Sequence, residues 1–125
     1  MGLLNGLLGN ASEINTQALQ EEFAPLLFDG EQIEVAFSLI RDKVIFTNKR
    51  LITLNVQGVT GHKRNYHSIP YRSITRFSVE TSGTFDLDGE LKIWVSGCAN
   101  PFSFEFSRKV DVKYLQKTLA AHVLM

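Results

Sequence analysis

The chain has 125 residues, of which 44% are hydrophobic and nine are phenylalanine, enough apolar surface for one domain whose core needs neither disulfides nor a metal ion. Thirteen basic and thirteen acidic side chains give a net charge of zero, which argues against nucleic-acid binding of the strongly basic kind. A single cysteine, Cys98, cannot form an internal disulfide, so nothing in the composition requires an oxidising compartment.

The first twelve residues, MGLLNGLLGNAS, contain no basic residue and no apolar run long enough to span a membrane or to act as a secretion signal. We therefore expect a cytoplasmic protein. The leucines at positions 3, 4, 7 and 8 would line one narrow face of a short helix. Such a helix is unstable in water unless it packs on another surface.

Asn10 and, three residues later, Glu13 match the capping-box pattern of a helix start. Leu19, Phe23 and Leu26 then follow at helical spacing, until a proline and the turn sequence DGE end the pattern. The sequence thus predicts two N-terminal elements, a segment over residues 1–12 and a helix over residues 13–28.

From Ile33 the apolar period changes to two, and β-branched and aromatic residues dominate. The clearest strand is FSFEF, in which phenylalanines alternate with polar residues. Short connections rich in turn-forming residues require antiparallel pairing, and Pro70 places its own strand at an edge or bulge. The pattern between residues 33 and 107 predicts seven strands, over residues 33–41, 43–48, 50–56, 63–71, 74–82, 90–97 and 101–107.

Helical spacing returns over residues 111–124, with Leu115 and Leu119 on the apolar stripe and Asp111 as the N-cap. Val110 before the cap can pack on Leu115 as a hydrophobic staple. Seven antiparallel strands followed by an amphipathic helix predict a mainly β fold in one domain. We expect a partly open barrel whose open end is closed by the C-terminal helix.

Four sequence strings occur in the order of a known family: RDKVIFTNKRLI, VQGVTGHK, HSIPYRSI and ETSGTFDLDGEL. They resemble the small bacterial pleckstrin-homology (PH) proteins, and the resemblance extends from about Glu13 to the C-terminus. It implies one PH-like domain over residues 1–125, without enzymatic activity. It also implies a closed cyclic ring of identical subunits, with a polar surface where strands of adjacent subunits meet. The resemblance further implies five-fold rings for the single-domain members, and because this chain stops after the last helix we expect that smaller ring.

Charge and apolar patterns bear on assembly independently. Residues 1–40 hold six acids and no lysine or arginine, whereas residues 41–76 hold eight bases and one acid. Acidic residues of one subunit and basic hairpins of the next would suit a head-to-tail contact, which closes into a ring when the rotation allows. Trp94 falls on the strand face opposite Ile93, so we expect it on the outside, where another surface covers it.

The polar segments of the resemblance define the candidate binding surface. Acids of the ETSGTFDLDGE segment are expected to pair with Arg41 and Arg50 across a subunit boundary. The predicted protein-binding or subunit interface comprises Arg41, Asp42, Thr47, Lys49, Arg50, Glu80, Thr81, Asp86 and Asp88.

The basic stretch from residue 46 to residue 74 contains no acid. It predicts a possible anion site made by Lys49, Lys63, Arg64 and Arg72. Three interpretations stay open: a contact with a protein, including the self-interface; a peripheral membrane adaptor that binds anionic lipid or phosphoinositide headgroups; and an ordinary solvated face.

Catalytic, metal and cofactor motifs are missing from the sequence. The histidines at positions 62, 67 and 122 lack zinc-site spacing, and DLDG around Asp86 and Asp88 lacks the full spacing of a calcium loop. No nucleophile motif, phosphate-binding loop or dinucleotide fingerprint occurs. We expect no catalytic residue, no metal, no cofactor and no nucleic-acid partner.

Overall fold

The computed structural model of the protein describes residues 15–40, 42–57, 63–81, 89–107 and 110–124. No helix within these ranges is long and apolar enough to cross a membrane. Within the described ranges, two α-helices flank seven β-strands, and a short 3₁₀ turn follows the first helix and another follows the fourth strand. In chain order the elements are α1 (Thr16–Phe23), a 3₁₀ turn (Ala24–Leu26), β1 (Ile33–Ser38), β2 (Asp42–Thr47), β3 (Arg50–Gln57), β4 (Lys63–Pro70), a 3₁₀ turn (Tyr71–Ser73), β5 (Ile74–Glu80), β6 (Gly89–Val95), β7 (Phe102–Phe106) and α2 (Val112–Val123).

Helix α1 is shorter than the helix predicted over residues 13–28. Asn15 has extended backbone angles, and its side chain accepts hydrogen bonds from the backbone N–H groups of Gln17 and Ala18, so the helix begins at Thr16. The α-helix ends at Phe23, and the 3₁₀ turn that follows leaves Leu26 48% exposed rather than on the buried stripe. The predicted cap at residues 10 and 13 lies outside the described residues.

The strands form two antiparallel sheets. Sheet A has the order β1-β2-β3-β4 and sheet B the order β5-β6-β7. The sheets meet at one corner, where the backbone N–H of Ile40 donates to the carbonyl of Glu105 at 3.1 Å. Sheet A carries Pro70 on its edge strand β4, as predicted. In sheet B, β6 ends at Val95, whereas the strand was predicted to run to residue 97. The chain turns at Gly97, which has a φ of +86°.

Buried apolar side chains on the sheets form two clusters. The larger cluster lies between sheets A and B, where Phe37, Phe46 and Leu91 pack with Leu115 and Leu119 of α2. The smaller cluster lies on the outer face of sheet A and includes Leu19 and Phe23 of α1 together with Ala36, Ile45, Ile52 and Leu54. The C-terminal helix therefore closes the interior of the barrel, as predicted, and α1 covers the opposite face of sheet A.

The start of α2 follows the sequence prediction. The side chain of Asp111 accepts a hydrogen bond from the backbone N–H of Tyr114 at 3.1 Å. Val110, just before the cap, and Leu115 both belong to the central core. The predicted N-cap is confirmed, and the staple residues lie in the same cluster.

Candidate interaction surface

Strand β4 presents an unpaired edge. All eight of its residues pair with β3 on one side, and among the described strands none pairs with its other side. Six of its eight side chains are exposed; His67 is half-buried and Ile69 is buried. An exposed strand edge carries backbone donors and acceptors that can pair with another chain. This edge is the most prominent candidate for an interaction surface.

Strand β1, the opposite edge of sheet A, is covered within the chain. The backbone N–H of Ile33 donates to the side-chain oxygen of Gln20 on α1 at 2.8 Å. Just beyond the other end of β1, the backbone N–H of Ile40 donates to the carbonyl of Glu105 on β7 of sheet B. Because neighbouring elements contact both ends of β1, β4 is the edge of sheet A that the described residues leave more accessible to a partner.

Strand β5 lies at the end of sheet B and pairs only with β6 among the described strands. Phe77 and Val79 point towards the interior with Ile93 and Leu91, yet they are only half-buried. Glu80 at the end of the strand is exposed. The corner between β4 and β5 is therefore open, in contrast to the corner at which β1 meets β7.

An ion pair between Glu31 and Arg50 connects the segment before β1 to the start of β3. Arg50 at the start of β3 donates from Nε to Glu31 Oε2 at 2.8 Å and from Nη2 to Glu31 Oε1 at 3.0 Å. The hydroxyl of Thr47 donates to Glu31 Oε2 at 2.7 Å. Burial by itself raises the pKa of Glu31, but hydrogen bonds from Arg50, Thr47 and the Phe28 amide outweigh it and hold the pKa below the usual value.

A second polar contact joins α2 to β1. His122 lies 2.7 Å from the carboxylate of Glu34 through Nε2 and 2.8 Å from the carbonyl oxygen of Thr118 through Nδ1. Its ring stacks on Tyr71 at 4.6 Å between centroids. Both ring nitrogens thus make contacts within the chain. The described residues also contain no group of three or more histidine, cysteine or acidic side chains able to hold a metal ion.

Comparisons with known proteins agree with the two-sheet fold and its helical cap. A sequence model described as "Bacterial PH domain" matches residues 2–123. The chain belongs to the bacterial PH domain family. It is 55% identical over 122 residues to the uncharacterized protein YjqA of Bacillus subtilis (strain 168), a match that covers 97% of this chain and 98% of YjqA. The resemblance inferred from the sequence strings is therefore confirmed.

Solved structures of bacterial PH domains have the same fold. A pleckstrin homology domain from Shewanella amazonensis SB2B superposes with a TM-score of 0.87 at 49% identity, and the match covers 99% of this chain and 100% of that one. A DUF1696 family protein with a PH domain from Shewanella loihica PV-4 gives a TM-score of 0.80 at 49% identity, covering 90% and 96% of the two chains.

Within this PH domain, two of the predicted interface residues, Thr47 and Arg50, make hydrogen bonds inside the subunit. Thr47 has no exposed surface, so its side chain does not reach a partner. Arg50 directs its guanidinium inward, where Nη1 donates to Ser68 at 2.9 Å and Nη2 to the carbonyl of Leu26 at 2.8 Å, besides its bonds to Glu31. Four of the five guanidinium N–H groups are thus bonded within the chain, and the pairing of Arg50 with an acid of a neighbouring subunit stays a prediction.

The other predicted interface residues are distributed over separate places. Asp42 is half-buried and accepts a hydrogen bond from the side chain of Asn55. Lys49 is exposed in the β2–β3 turn, and Glu80 and Thr81 are exposed at the end of β5. That these residues contact another subunit or a protein partner stays a prediction. The remaining predicted residues, Arg41, Asp86 and Asp88, lie outside the described residues.

The four bases of the predicted anion site are not brought together. Lys63 and Arg64 begin β4, whereas Arg72 follows its end, and Lys49 immediately precedes the residue that pairs with Pro70. Seven strand steps of roughly 3.3 Å separate the two ends of β4 by about 23 Å. Successive residues also point to opposite faces of a strand, so Lys63 and Arg64 diverge. One headgroup therefore cannot contact all four bases at once, and anion binding at these positions stays a prediction.

The acidic and basic segments also adjoin within one subunit. Helix α1 exposes Glu21 and Glu22, and its Phe23 ring contacts Tyr66 of the basic strand β4 edge-on at 5.7 Å. Helix α1, with its exposed acids, therefore lies next to the basic strand β4 in the same subunit. Trp94 likewise has a cover from its own chain, since the guanidinium of Arg76 lies 4.1 Å from its ring centroid.

Sequence reasoning missed the contacts that join distant segments. Glu31 and Arg50 are nineteen residues apart, and Glu34 and His122 are eighty-eight apart. No local pattern of periodicity or capping pairs such residues. In the sequence, Glu31 is an acid between a turn and a predicted strand. That position does not indicate which residue it pairs with.

Proposed function

We propose that this bacterial PH domain is a non-enzymatic interaction module that assembles with copies of itself into a closed ring and presents a repeated polar surface to a protein partner. The unpaired edge of β4 carries this proposal. Its exposed side chains and free backbone groups suit the addition of a strand from another chain. No element among the described residues covers it, whereas both ends of the β1 edge are covered.

Ring formation follows from the use of two different surfaces. When one surface of a subunit binds another surface of the next, the assembly closes if the rotation per subunit divides a full turn. The resemblance to small PH-like proteins implies five subunits. A ring repeats the same polar surface several times, so a partner with several copies of its own binding segment is bound far more tightly than by one subunit.

The polar chemistry of the described residues supports a non-enzymatic role. The ion pair of Glu31 and Arg50 and the contact between Glu34 and His122 both join secondary-structure elements of the same subunit. Their polar atoms bind protein atoms rather than face a cleft. These groups stabilise the fold and leave the exposed strand edge as the surface for interaction.

Sedimentation velocity at micromolar concentration tests assembly. We expect a single species whose mass is a multiple of the subunit mass, with no free monomer. Hydrogen exchange followed by mass spectrometry tests the surface: peptides that contain β4 should exchange slowly in the assembly and faster on dilution. A monomer in ordinary buffer, or β4 amides that exchange equally fast at all concentrations, would refute the proposal.

A further inference from the structure

The ring of His122 lies at the end of α2, where it contacts three other elements. Nε2 is 2.7 Å from Oε1 of Glu34 on β1, and Nδ1 is 2.8 Å from the carbonyl oxygen of Thr118 on α2 itself. The ring stacks on Tyr71 of the second 3₁₀ turn at 4.6 Å between centroids, and the Phe46 ring of β2 is 5.6 Å away. One side chain thus connects α2 to β1, to β2 and to the turn that joins the two sheets.

The two oxygens that face the ring nitrogens call for two N–H donors. A backbone carbonyl can only accept a hydrogen bond, and so can an ionised carboxylate. A neutral imidazole has one N–H group and one bare nitrogen, so it can donate to Thr118 or to Glu34 but not to both. The bare nitrogen would then present its lone pair to an oxygen at 2.7 or 2.8 Å. Only the doubly protonated imidazolium satisfies both contacts.

The surroundings of the ring favour the same charged form. The carboxylate of Glu34 supplies a counter-charge. The rings of Tyr71 and Phe46 are inclined to the imidazole by only 29° and 32°, and both centroids lie within the roughly 6 Å over which a ring face attracts a cation. His122 also lies in the last turn of α2, where the helix dipole favours a positive charge.

The contact is open to exchange of protons with water, because the side chain of His122 is 17% exposed and that of Glu34 is 47% exposed. In the described part of the chain, the titratable groups in contact with the ring are Glu34 from β1 and Tyr71 from the turn. Burial and the charges of Glu34 and Glu31 raise the pKa of Tyr71, so its phenol stays neutral. Histidine side chains gain and lose protons between about pH 5 and 8. The charge that completes this contact can therefore be removed under mild conditions.

The end of α2 has less apolar packing than its middle. Leu115 and Leu119 are fully buried in the central core, whereas Val123 is half-buried and Leu124 is 73% exposed. The hydrogen bonds of His122 therefore hold a part of the helix that the core holds weakly.

We propose that His122 is a pH-dependent switch at the end of the helix that closes the barrel. As the imidazolium, it fastens the last turn of α2 to β1 and to the turn between the sheets. When one ring nitrogen gives its proton to water, one of the two hydrogen bonds is lost and the last turn of α2 is released. The switch acts within one subunit and does not depend on the proposed ring.

Nuclear magnetic resonance of the protein with ¹⁵N-labelled histidine measures the protonation of each ring nitrogen directly. We expect both nitrogens of His122 to carry protons at about pH 5.5 and one of them to be bare at about pH 9. The His122→Gln variant assigns the signals. A neutral His122 ring at the lower pH, or a ring that keeps both protons at the higher pH, would overturn the proposal.

Hydrogen exchange followed by mass spectrometry measures the release. Exchange rates are divided by those expected for an unfolded chain at the same pH, so that the remaining change reports local opening. Protection of residues 118–124 should fall about tenfold between about pH 5.5 and about pH 9, because a hydrogen bond from a charged donor is lost.

Two variants identify the groups responsible. His122→Gln should show the same protection at both pH values. Glu34→Gln should reduce the fall to less than about twofold, because an amide can accept from an N–H group and can also donate to a bare nitrogen. The matched control is His67→Gln, which removes another half-buried histidine whose ring contacts Phe102 and should keep the wild-type fall. Circular dichroism confirms that each variant is folded.

The variants also define the results that contradict the switch. Protection that is unchanged with pH in the wild-type protein overturns the proposal. So does a fall of wild-type size in His122→Gln, since another group would then be responsible. A fall of wild-type size in Glu34→Gln would show that the carboxylate does not require the second proton, which removes the basis of the switch.

Discussion

Replacement of Arg50 by alanine tests whether the ion pair with Glu31 fastens the N-terminal part of the chain to sheet A. The Arg50 guanidinium bonds Glu31 through two nitrogens and also reaches the carbonyl of Leu26 and the hydroxyl of Ser68. It therefore joins the 3₁₀ turn after α1 to both β3 and β4. Arg50→Ala removes all four hydrogen bonds and leaves the Glu31 carboxylate buried without its counter-charge.

The magnitude follows from burial. The side chain of Glu31 is fully buried and that of Arg50 is 25% exposed. Removing one member of a buried ion pair typically costs 3–5 kcal/mol, and the partial exposure of Arg50 lets water replace some of what is lost. We therefore expect a loss of about 3 kcal/mol in the free energy of unfolding. For a domain of this size, such a loss lowers Tm by about 10–15 °C.

Urea denaturation at neutral pH and at one fixed protein concentration measures the loss. Lys49→Ala is the matched control, because Lys49 is an exposed base next to Arg50, and we expect a change within about 0.5 kcal/mol. The double variant Arg50→Ala/Glu31→Gln should recover about 1–2 kcal/mol relative to Arg50→Ala, since a neutral amide leaves no buried charge. A cost below about 1 kcal/mol for Arg50→Ala, or no recovery in the double variant, would refute the reasoning.

The pH dependence provides an independent check on the same ion pair. Because the pKa of Glu31 is lowered in the folded protein, the unfolded state binds the proton more readily. The stabilisation is fully present above the usual glutamate value of 4.5 and is lost as the pH falls through the lowered folded pKa. In the Arg50→Ala variant, Glu31 stays buried, which raises its pKa, and the hydrogen bonds and positive charge of Arg50, which lower that pKa, are removed. We expect the Glu31-dependent loss of stability in acid to shrink or to change sign in this variant.

Three further predictions concern the core, the half-buried phenol of Tyr71 and the membrane. Gly89→Ala should destabilise the fold by about 2–3 kcal/mol in thermal or urea unfolding, because a Cβ would lie 2.5 Å from the buried Phe106 ring; near-wild-type stability would contradict this packing. Tyr71→Phe should cost about 1 kcal/mol in the same assay, since the hydroxyl donates to the carbonyl of Thr47 at 2.6 Å. Burial raises the pKa of Tyr71 well above its usual value, so its phenolate absorbance should appear only in strongly alkaline solution. The wild-type protein should not float with vesicles of anionic lipid at physiological salt, because the bases of β4 and its flanking turns are spread over two faces; salt-sensitive flotation would favour a membrane adaptor.

Much of the fold follows from local patterns. The strand FSFEF and the C-terminal helix have clear periodicities, and the structure places Phe104 and Leu115 in one core. Asp111 at the N-cap was also predictable, since a cap and the amide that it binds are only three residues apart. The N-terminal helix was less well predicted, because asparagines at positions 10 and 15 both precede helical patterns and only the structure shows that Asn15 is a cap.

The candidate surface required the tertiary structure. The proline in β4 indicated an edge strand, but the sequence did not show that Gln20 covers β1 while β4 stays open. The sequence also placed Thr47 and Arg50 among contact residues, whereas folding turns both side chains towards Glu31. A polar residue in a turn has the same local pattern whether its partner is solvent, a second subunit or a distant part of its own chain.

The sequence by itself determined the elements of this PH domain, because side-chain periodicity and capping act over a few neighbouring residues. It also determined that the edge strand β4 is basic and lacks acids. Only the tertiary structure decided which charges are free and which are bonded within the chain. That decision depends on how two sheets and two helices pack, which brings residues far apart in sequence to within hydrogen-bond distance.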